Sequence, residues 1–510
     1  MELEAVRAVP EAVGVHCVHG LAASPYNESV TALAHHPLGL HYRLMQPEPQ
    51  DVAYTPDPAI LELAEWLAEP VKPADFPETR IRFRNDRAAE QIGLNGLSDI
   101  KWASHFGRFE PLSANMDQPL ALKYHGHQFR SYNPDIGDGR GFLFAQLRDR
   151  QNRLIDFGTK GSGQTPFSRT GDGRLTLKGA VREILATELL EALGVNTSRT
   201  LSVIETGEEL MRNDEPSPTR SAVMVRQSHG HIRIGTFQRL LALEEPDHMA
   251  QLVSYCLAKF PGPSAPQGAP GRDEPAVQFL HQVVERMADL AASYMVAGFV
   301  HGVLNTDNMN VSGESFDYGP WRWLPKWDPQ FTAAYFDQTG LYAFGRQPEA
   351  LHWNCGQLAA ALRLLVDAPP LIAAMERFGP LYMEAVARRW CWRLGVEPLN
   401  PESDAALVAV SEKDMRESGE QPDAFFYRNR GGANAAGKMA EALESYDATV
   451  SDHPYWSGGT PQSMLIDEVE TLWSAIDERD DWRPLEDKIR AIREAGDAHG
   501  TPPVAAGHSG

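Results

Sequence analysis

The sequence predicts an α+β fold in which a β-rich part comes first and a helical part second. Three observations carry that prediction. From Leu120 to Gln227 the apolar runs are short, rich in β-branched and aromatic residues, and broken by polar turns, which is the signature of strands and hairpins. After His248 the apolar residues recur at helical spacing instead. With 510 residues, 42% hydrophobic and 23% charged, the chain is long enough for one large two-lobed domain or two to three ordinary ones.

Taken in order, residues 1 to about 75 are Pro-punctuated, with a short helical pattern at AILELAEWLAEP, and RNDRAAEQIGL reads as a helix ending near Leu94. The runs GFLFAQL and RLIDFGTK, separated by the polar turn RDRQN, predict a β-hairpin that ends at Lys160. Gly137 to Gly141, GDGRG, precedes the first of these strands. Its glycines permit close backbone approach to phosphate, and Arg140 can add a charge-assisted contact. The stretch GSGQTPFSRTGDGR, 161–174, is too long and polar for a hairpin turn and marks a functional or disordered loop. GAVREILATELLEALG follows as a helix, with Val181, Ile184, Leu185, Leu189 and Leu193 on one stripe and Gly194 as its stop.

TLSVIET and SAVMVRQ read as two strands flanking a disordered-looking loop, NDEPSPT. Arg226 and Arg233 come next, either as an anion clamp or as ion-pair partners for the chain's surplus acids. A Pro/Gly-rich insert, PGPSAPQGAPGRDEP, separates two helices, the second running from about Val277. Two or three further helices reach about Leu399. Beyond Asn400 the pattern weakens to one helix near MLIDEVETLWSAI and a tail, GTPPVAAGHSG, expected to be disordered. The expected division is an extension over 1–75, a β-rich lobe over 76–245, a helical lobe over 246–400 and a second extension over 401–510.

Charge and cysteine usage narrow the function. Lys plus Arg at 47 against Asp plus Glu at 69 leaves a net charge of −22, which repels a phosphate backbone and argues against nucleic-acid or anionic-membrane partners. Any phosphate ligand must therefore meet a local basic cluster. Cys17, Cys256, Cys355 and Cys391 form no C-x-x-C pair, which suits a reduced, cytoplasmic setting. MELEAVRAVPEAVG has acids where a secretory signal needs positive charge, and Met287–Val300, interrupted by Asp289, falls short of the ~20 apolar residues of a membrane span. His125 and His127 lack the further ligands of a metal site and are expected to be structural.

The densest chemistry lies in FVHGVLNTDNMNVSGESFDYG, 299–319. In protein kinases a histidine-led loop carries a catalytic Asp, an Asn that binds metal follows at fixed spacing, and an Asp-Phe-Gly metal site comes later. Asn308 and Asp317-Tyr318-Gly319 fill the last two places with the hard oxygens that Mg²⁺ prefers. The place of the base falls on Val303, which accepts no proton. Asp307, next to Asn308, is the carboxylate in the loop that can replace it. The kinase order also supplies roles for Lys160 as the strand lysine and Glu183 as the helix glutamate that positions it. Asp156-Phe157-Gly158 lies before Lys160 and inside a strand, so it is set aside as a metal triplet.

In this order the parts resemble the selenoprotein O (SelO, YdiU) family of kinase-like protein adenylyltransferases. The motifs are GHQF at Gly126–Phe129, GDGR at Gly137–Arg140, KGSGQTPFSR at Lys160–Arg169, DGR at Asp172–Arg174, and HGVLNTDNM followed by Asp317-Tyr318-Gly319, together spanning about 80–360. The resemblance implies a two-lobed kinase-like fold, ATP bound in reversed orientation, and transfer of AMP to hydroxyl side chains of proteins or of the enzyme itself. It implies nucleotide contacts at Gly137, Gly139, Arg140, Lys160, Asp172, Gly173, Arg226 and Arg233, with Asp317 serving the nucleotide through its metal. Asp307 becomes the proton acceptor, and Asn308 and Asp317 the ligands of Mg²⁺ or Mn²⁺. Arg130 departs from the family, which usually has Gly after GHQF, and no cysteine follows Cys391, so redox control through a C-terminal cysteine is not expected. A conventional γ-phosphate kinase and an inactive ATP-binding scaffold remain the alternatives.

Overall fold

The computed structural model describes residues 52–213, 215–449 and 451–503. Cys17, the N-terminal residues read for a targeting signal, and 504–510 of the tail lie outside the described residues, as does Asp214 in the NDEPSPT loop. A 3₁₀ turn at Ala59–Glu62 and α1 (Ala64–Leu67) lead into β1 (Ala68–Pro70), then β2 (Arg80–Arg84), α2 (Asp86–Glu90) and α3 (Asp99–Gly107). Asn85 and Ser98 cap these last two helices by accepting from the Ala88 and Lys101 N–H groups, which have no intrahelical partner. After them come β3 (Leu120–Leu122), β4 (Gly126–Gln128), β5 (Ser131–Asn133), β6 (Leu143–Arg148), β7 (Leu154–Lys160), β8 (Leu175–Thr176), α4 (Leu177–Ala192), β9 (Arg199–Leu210) and β10 (Thr219–Ser228).

The hairpin read at GFLFAQL and RLIDFGTK is β6–β7, and it forms the middle of an antiparallel sheet ordered β1-β3-β6-β7-β10-β9-β2, with β8 also on β10. Helices cover both faces, so the central strands are apolar on both sides instead of alternating with polar residues. In β10, Ala222 and Met224 join the cluster containing Val181, Ile184 and Leu185 of α4, whereas Val223 and Val225 join Trp102 and Phe106 of α3. The period of two thus sorts one strand between two cores. Thr176 caps α4 through the Gly179 N–H, and Gly194, at φ +73, ends the helical run as the sequence indicated.

The helical part consists of α5 (Ile234–Ala242), α6 (Pro246–Lys259), α7 (Pro275–Ala297), the two-stranded β11 (Phe299–Val300) and β12 (Arg322–Trp323), α8 (Gln347–Leu362), α9 (Ala368–Met375) and α10 (Phe378–Leu394). Gly298 closes α7 with a left-handed cap and turns the chain into the histidine-led loop. Helix begins earlier than the sequence pattern suggested: α5 starts right after Arg233, with Ile234, Phe237 and Leu240 buried. HIRIG has strand-like alternation, which hid this start. Among the described residues no helix is long and apolar enough to cross a membrane, and α7 is a buried helix. The whole is a kinase-like two-lobed α+β fold, an antiparallel sheet region followed by a helical region.

The region beyond Asn400 is far more structured than its pattern indicated, with α11 (Pro401–Ser418), α12 (Pro422–Asn429), α13 (Lys438–Leu443), α14 (Tyr455–Gly458), α15 (Ile466–Arg479) and α16 (Arg483–His499). The last two return to α4. Arg493 grips the buried Glu188 through two bonds of 2.7 and 2.6 Å, Lys178 meets Glu470 at 2.7 Å, and Gly496 lets α16 approach Ala192 so closely that a Cβ there would sit 3.1 Å from its Cα. Arg493→Ala leaves the Glu188 carboxylate enclosed with one weak amide partner, Asn85 at 3.4 Å. It should destabilise the protein by about 1–3 kcal/mol, between the values of surface and buried pairs. Urea denaturation followed by tryptophan fluorescence checks this, and an unchanged midpoint would show that the C-terminal helices do not brace α4.

Candidate active site

The loop from His301 to Asn308 is held by partners from five separate segments. His301 is buried; its N–H donates to Gln347 Oε1 at 3.0 Å and its Nε2 lies 3.0 Å from the Phe316 carbonyl. Asn354 donates to the Leu304 carbonyl at 2.9 Å, and Asn305 Oδ1 accepts from the Phe129 N–H at 3.0 Å and from Tyr342 OH at 2.7 Å. Thr306 accepts from the His127 N–H at 2.7 Å and donates to Gln238 at 2.6 Å. Asp307 follows in a 3₁₀ turn, 8% exposed. Its Oδ2 accepts from Gln128 Nε2 at 3.3 Å, while Oδ1 is buried with no hydrogen-bond partner among the described residues. Burial pushes the Asp307 carboxyl up to about 6, against the opposing pull of Arg233. A carboxylate so tuned can accept a proton near neutral pH. Asn308 Nδ2 donates to the Val303 carbonyl at 3.1 Å, which directs the amide oxygen away from that carbonyl.

Beside Asp307 three cations converge on Asp317. Its Oδ1 lies 3.4 Å from Lys160 Nζ and 3.1 Å from Arg226 Nη1, and its Oδ2 lies 3.2 Å from Arg233 Nη1. Lys160, at the end of β7, also pairs with Glu183 of α4, as the kinase order predicted. The cations are at most 5% exposed and Asp317 is 20% exposed, so the carboxylate is the outermost member. Burial alone would raise its pKa, but Arg226, Lys160, Arg233 and Arg140 together outweigh it and hold the group well below the usual carboxylate range. Phe316 lies under both guanidinium groups, 5.0 Å from Arg226 and 4.9 Å from Arg233. The Nε atoms of both arginines are buried without a hydrogen-bond partner among the described residues.

The structure brings together Lys160, Glu183, Arg226, Arg233, Asp307, Asn308 and Asp317. Arg140 contributes charge. Gly137 and Gly139 admit the 165–168 segment: a Cβ on Gly137 would lie 2.6 Å from the Phe167 ring, and one on Gly139 2.8 Å from the Phe167 carbonyl oxygen. Gly173 takes φ +68 against Gly163, and Asp172 pairs with Arg212 at 2.8 Å; among the described residues no hydrogen bond or ion pair joins these two to the Asp317 cluster. Asp156 accepts from Gln146 at 2.7 Å within the sheet.

Sequence reasoning missed Asp138, which bonds Arg233 at 3.1 Å and the Leu122 N–H at 3.0 Å, because an acid between two glycines has the pattern of an ordinary turn. It also missed the side chains of Gln128, Thr306 and Gln238, whose contacts join segments far apart in the chain. The two histidines have local partners, His125 with Tyr132 and His127 with Gln238. The departure at Arg130 has a structural counterpart. The residue has φ +62, where glycine is at ease, and its side chain pairs with Glu349 at 2.8 Å.

A family model described as protein adenylyltransferase SelO matches residues 50–452. The chain belongs to the SelO family. Among curated relatives, the protein nucleotidyltransferase YdiU of Synechocystis sp. is 40% identical over 473 residues, covering 86% of this chain and 98% of its own. That of Synechococcus elongatus is 41% identical over 477 residues, covering 86% and 95%. The YdiU of Gloeobacter violaceus is 41% identical over 466 residues, again covering 86% and 95%. The SelO match thus takes in every residue of the Asp307 and Asp317 clusters.

Two outcomes are expected from this geometry. Lys160→Ala and Glu183→Ala should each lower turnover, and the double variant should lose less than the sum of the singles in free energy, because both remove one pair; additivity would show that α4 does not position the lysine. His229 tests the loop before Asp317. Its N–H donates to Glu314 at 2.8 Å and its Nδ1 lies 2.9 Å from the same carboxylate. Burial would lower its pKa, but Glu314 and Asp149 outweigh it and raise it above the ordinary value. The resulting stability is full below the unfolded pKa of about 6.5 and is lost as pH rises through the folded value. His229→Gln should therefore flatten the fall in unfolding free energy between neutral and alkaline pH, and an unchanged slope would refute the linkage.

Proposed function

We propose that the chain transfers AMP from ATP to Ser, Thr or Tyr hydroxyls of proteins, itself included. The observation that carries this reading is the pairing of Asp307, a buried carboxylate with one oxygen unspent, with the three-cation cluster around Asp317, in a loop whose kinase-base position is Val303. A reversed triphosphate sets its outer phosphates against Lys160, Arg226 and Arg233, and the unpartnered Nε atoms of the two arginines favour an anion there. Gly137, Gly139, Arg140, Asp172 and Gly173 complete the nucleotide contacts.

The hydroxyl oxygen attacks the α-phosphorus, the bond to the oxygen bridging the α- and β-phosphates breaks, and pyrophosphate leaves with the electron pair. The hydroxyl proton passes to Asp307 Oδ1, a contribution of roughly 10²–10⁴-fold. Lys160, held by Glu183, and the two arginines offset the charge of the leaving pyrophosphate.

The donor set fits a Mg²⁺ ion, with Mn²⁺ as the alternative. Asn308 Oδ1 and Asp317 are hard oxygens, and Mg²⁺ takes few protein ligands when substrate phosphates supply others. Bound there, the metal would neutralise phosphate charge. We assign the β-rich lobe to 76–245 and the helical lobe to 246–400, flanked by 1–75 and 401–510, with β1 of the first flank adding an edge strand to the sheet and α5, at the end of the β-rich lobe, packing on the helices that follow. The net charge of −22 supports proteins over nucleic acid or membranes as partners, and the free cysteines support a cytoplasmic setting.

With metal and ATP labelled at the α- or the γ-phosphate, only the α-label should reach protein. Asp307→Ala should slow transfer about 10²-fold or more while ATP affinity stays close to wild type. Asp317→Ala should abolish the dependence of ATP binding on added Mg²⁺, read by calorimetry. Transfer of the γ-label would make the protein a kinase, and transfer of neither would make it a scaffold.

A further inference from the structure

The β4–β5 hairpin grips the catalytic loop residue by residue. The Phe129 N–H holds Asn305, the His127 N–H holds Thr306, and the Gln128 side chain holds Asp307. Gly126 makes the approach possible, since a Cβ there would lie 3.1 Å from the Asp307 Cβ. The turn between the strands is strained. Phe129 and Arg130 both take left-handed backbone, φ 49 and 62, which is unfavourable for a non-glycine residue. The Asn305 bond on Phe129 and the Glu349 pair on Arg130 offset that cost.

Gln128 is itself oriented. The Asp135 N–H donates to Asn133 Oδ1 at 2.9 Å, Asn133 Nδ2 donates to Gln128 Oε1 at 3.0 Å, and Gln128 Nε2 donates to Asp307 Oδ2 at 3.3 Å. Amide nitrogen and oxygen are hard to tell apart from positions alone. Here the direction follows from chemistry, because a backbone N–H only donates and a carboxylate only accepts. Each link therefore has one allowed polarity, running from Asp135 to Asp307.

We propose that Asn133 and Gln128 are positioning residues for the transfer reaction. Their one-way chain occupies Asp307 Oδ2, fixes the rotation of the carboxylate, and leaves Oδ1 as the oxygen that meets the incoming hydroxyl. This rests on the role given to Asp307 above. Neither residue touches the nucleotide in this account, so both act on turnover and not on ATP affinity.

Asn133→Asp is the informative variant. One of its oxygens still accepts from the Asp135 N–H, so the turn keeps its bond, but the other cannot donate to Gln128 Oε1. The Gln128 amide turns over and presents its oxygen to Asp307. Turnover in α-label transfer should fall about tenfold or more, with KM for ATP within about twofold of wild type. Asn133→Ala, which leaves Gln128 free to choose its orientation, should lose less. A merely structural role predicts the opposite order, since Asp is the closer match in shape and keeps the turn. Equal or better activity of Asn133→Asp than of Asn133→Ala overturns the proposal, as does a loss carried by KM. If Asn133→Asp does not fold, Gln128→Ala decides: turnover should fall, and in the Asp307→Ala background the same change should cost nothing further. Additive losses overturn the proposal. An Asp307→Ala enzyme with wild-type transfer would instead remove the function assigned to the site.

Discussion

The Asp317 carboxylate organises this protein because it is the single anion on which three enclosed cations agree. Lys160 comes from the end of β7, Arg226 from β10, Arg233 from the start of α5, and Asp317 from the loop after β11. None of the three cations could be enclosed alone without a large desolvation cost. Their pairing therefore requires the sheet, α5 and the loop to be assembled at once. Asp317 accepts the arrangement at φ +63, an uncommon backbone state for a residue other than glycine. Glu183 and Asp138 neutralise Lys160 and Arg233 from behind.

The charge balance of the site differs from that of the whole chain. A chain of net charge −22 repels polyanions at long range, whereas within the site Lys160, Arg226 and Arg233 are matched one for one by Asp317, Glu183 and Asp138. Screening makes these compatible, because the Debye length of about 8–10 Å at ordinary salt confines each surface charge to its neighbourhood. The buried cysteines fit the same picture of inert packing. Cys256, Cys355 and Cys391 are free, and burial raises each thiol above its ordinary pKa.

The site is also braced by the last helices of the described chain. α16 packs along α4, the helix that carries Glu183, and Arg493 closes that contact on Glu188. Arg220, on β10, reaches Asp480 at the end of α15 at 2.8 Å. The last helices thus hold the sheet and α4 together, so residues far from the chemistry support the Lys160–Glu183 pair.

Much of this was legible in the amino-acid sequence, for reasons of range. Strand period, helix stripe, the Gly194 stop and the order of Lys160, Glu183, Asn308 and Asp317 are local or linear properties, and they determined the α+β class, the hairpin and most of the charged site. Beyond Asn400 only α15, at MLIDEVETLWSAI, was legible; α16 carries its apolar stripe of Leu485, Ile489 and Ile492 on an otherwise polar helix and gains its burial from α4, far away in the chain. Gln128 was not legible either, since it lies 179 residues from Asp307 and acts through a hydrogen bond whose direction is inherited from Asn133. Sequence by itself determined which groups could do chemistry. Only the tertiary structure decided which oxygen of Asp307 is held and which is free, because burial and hydrogen-bond direction depend on neighbours that the linear order does not bring together.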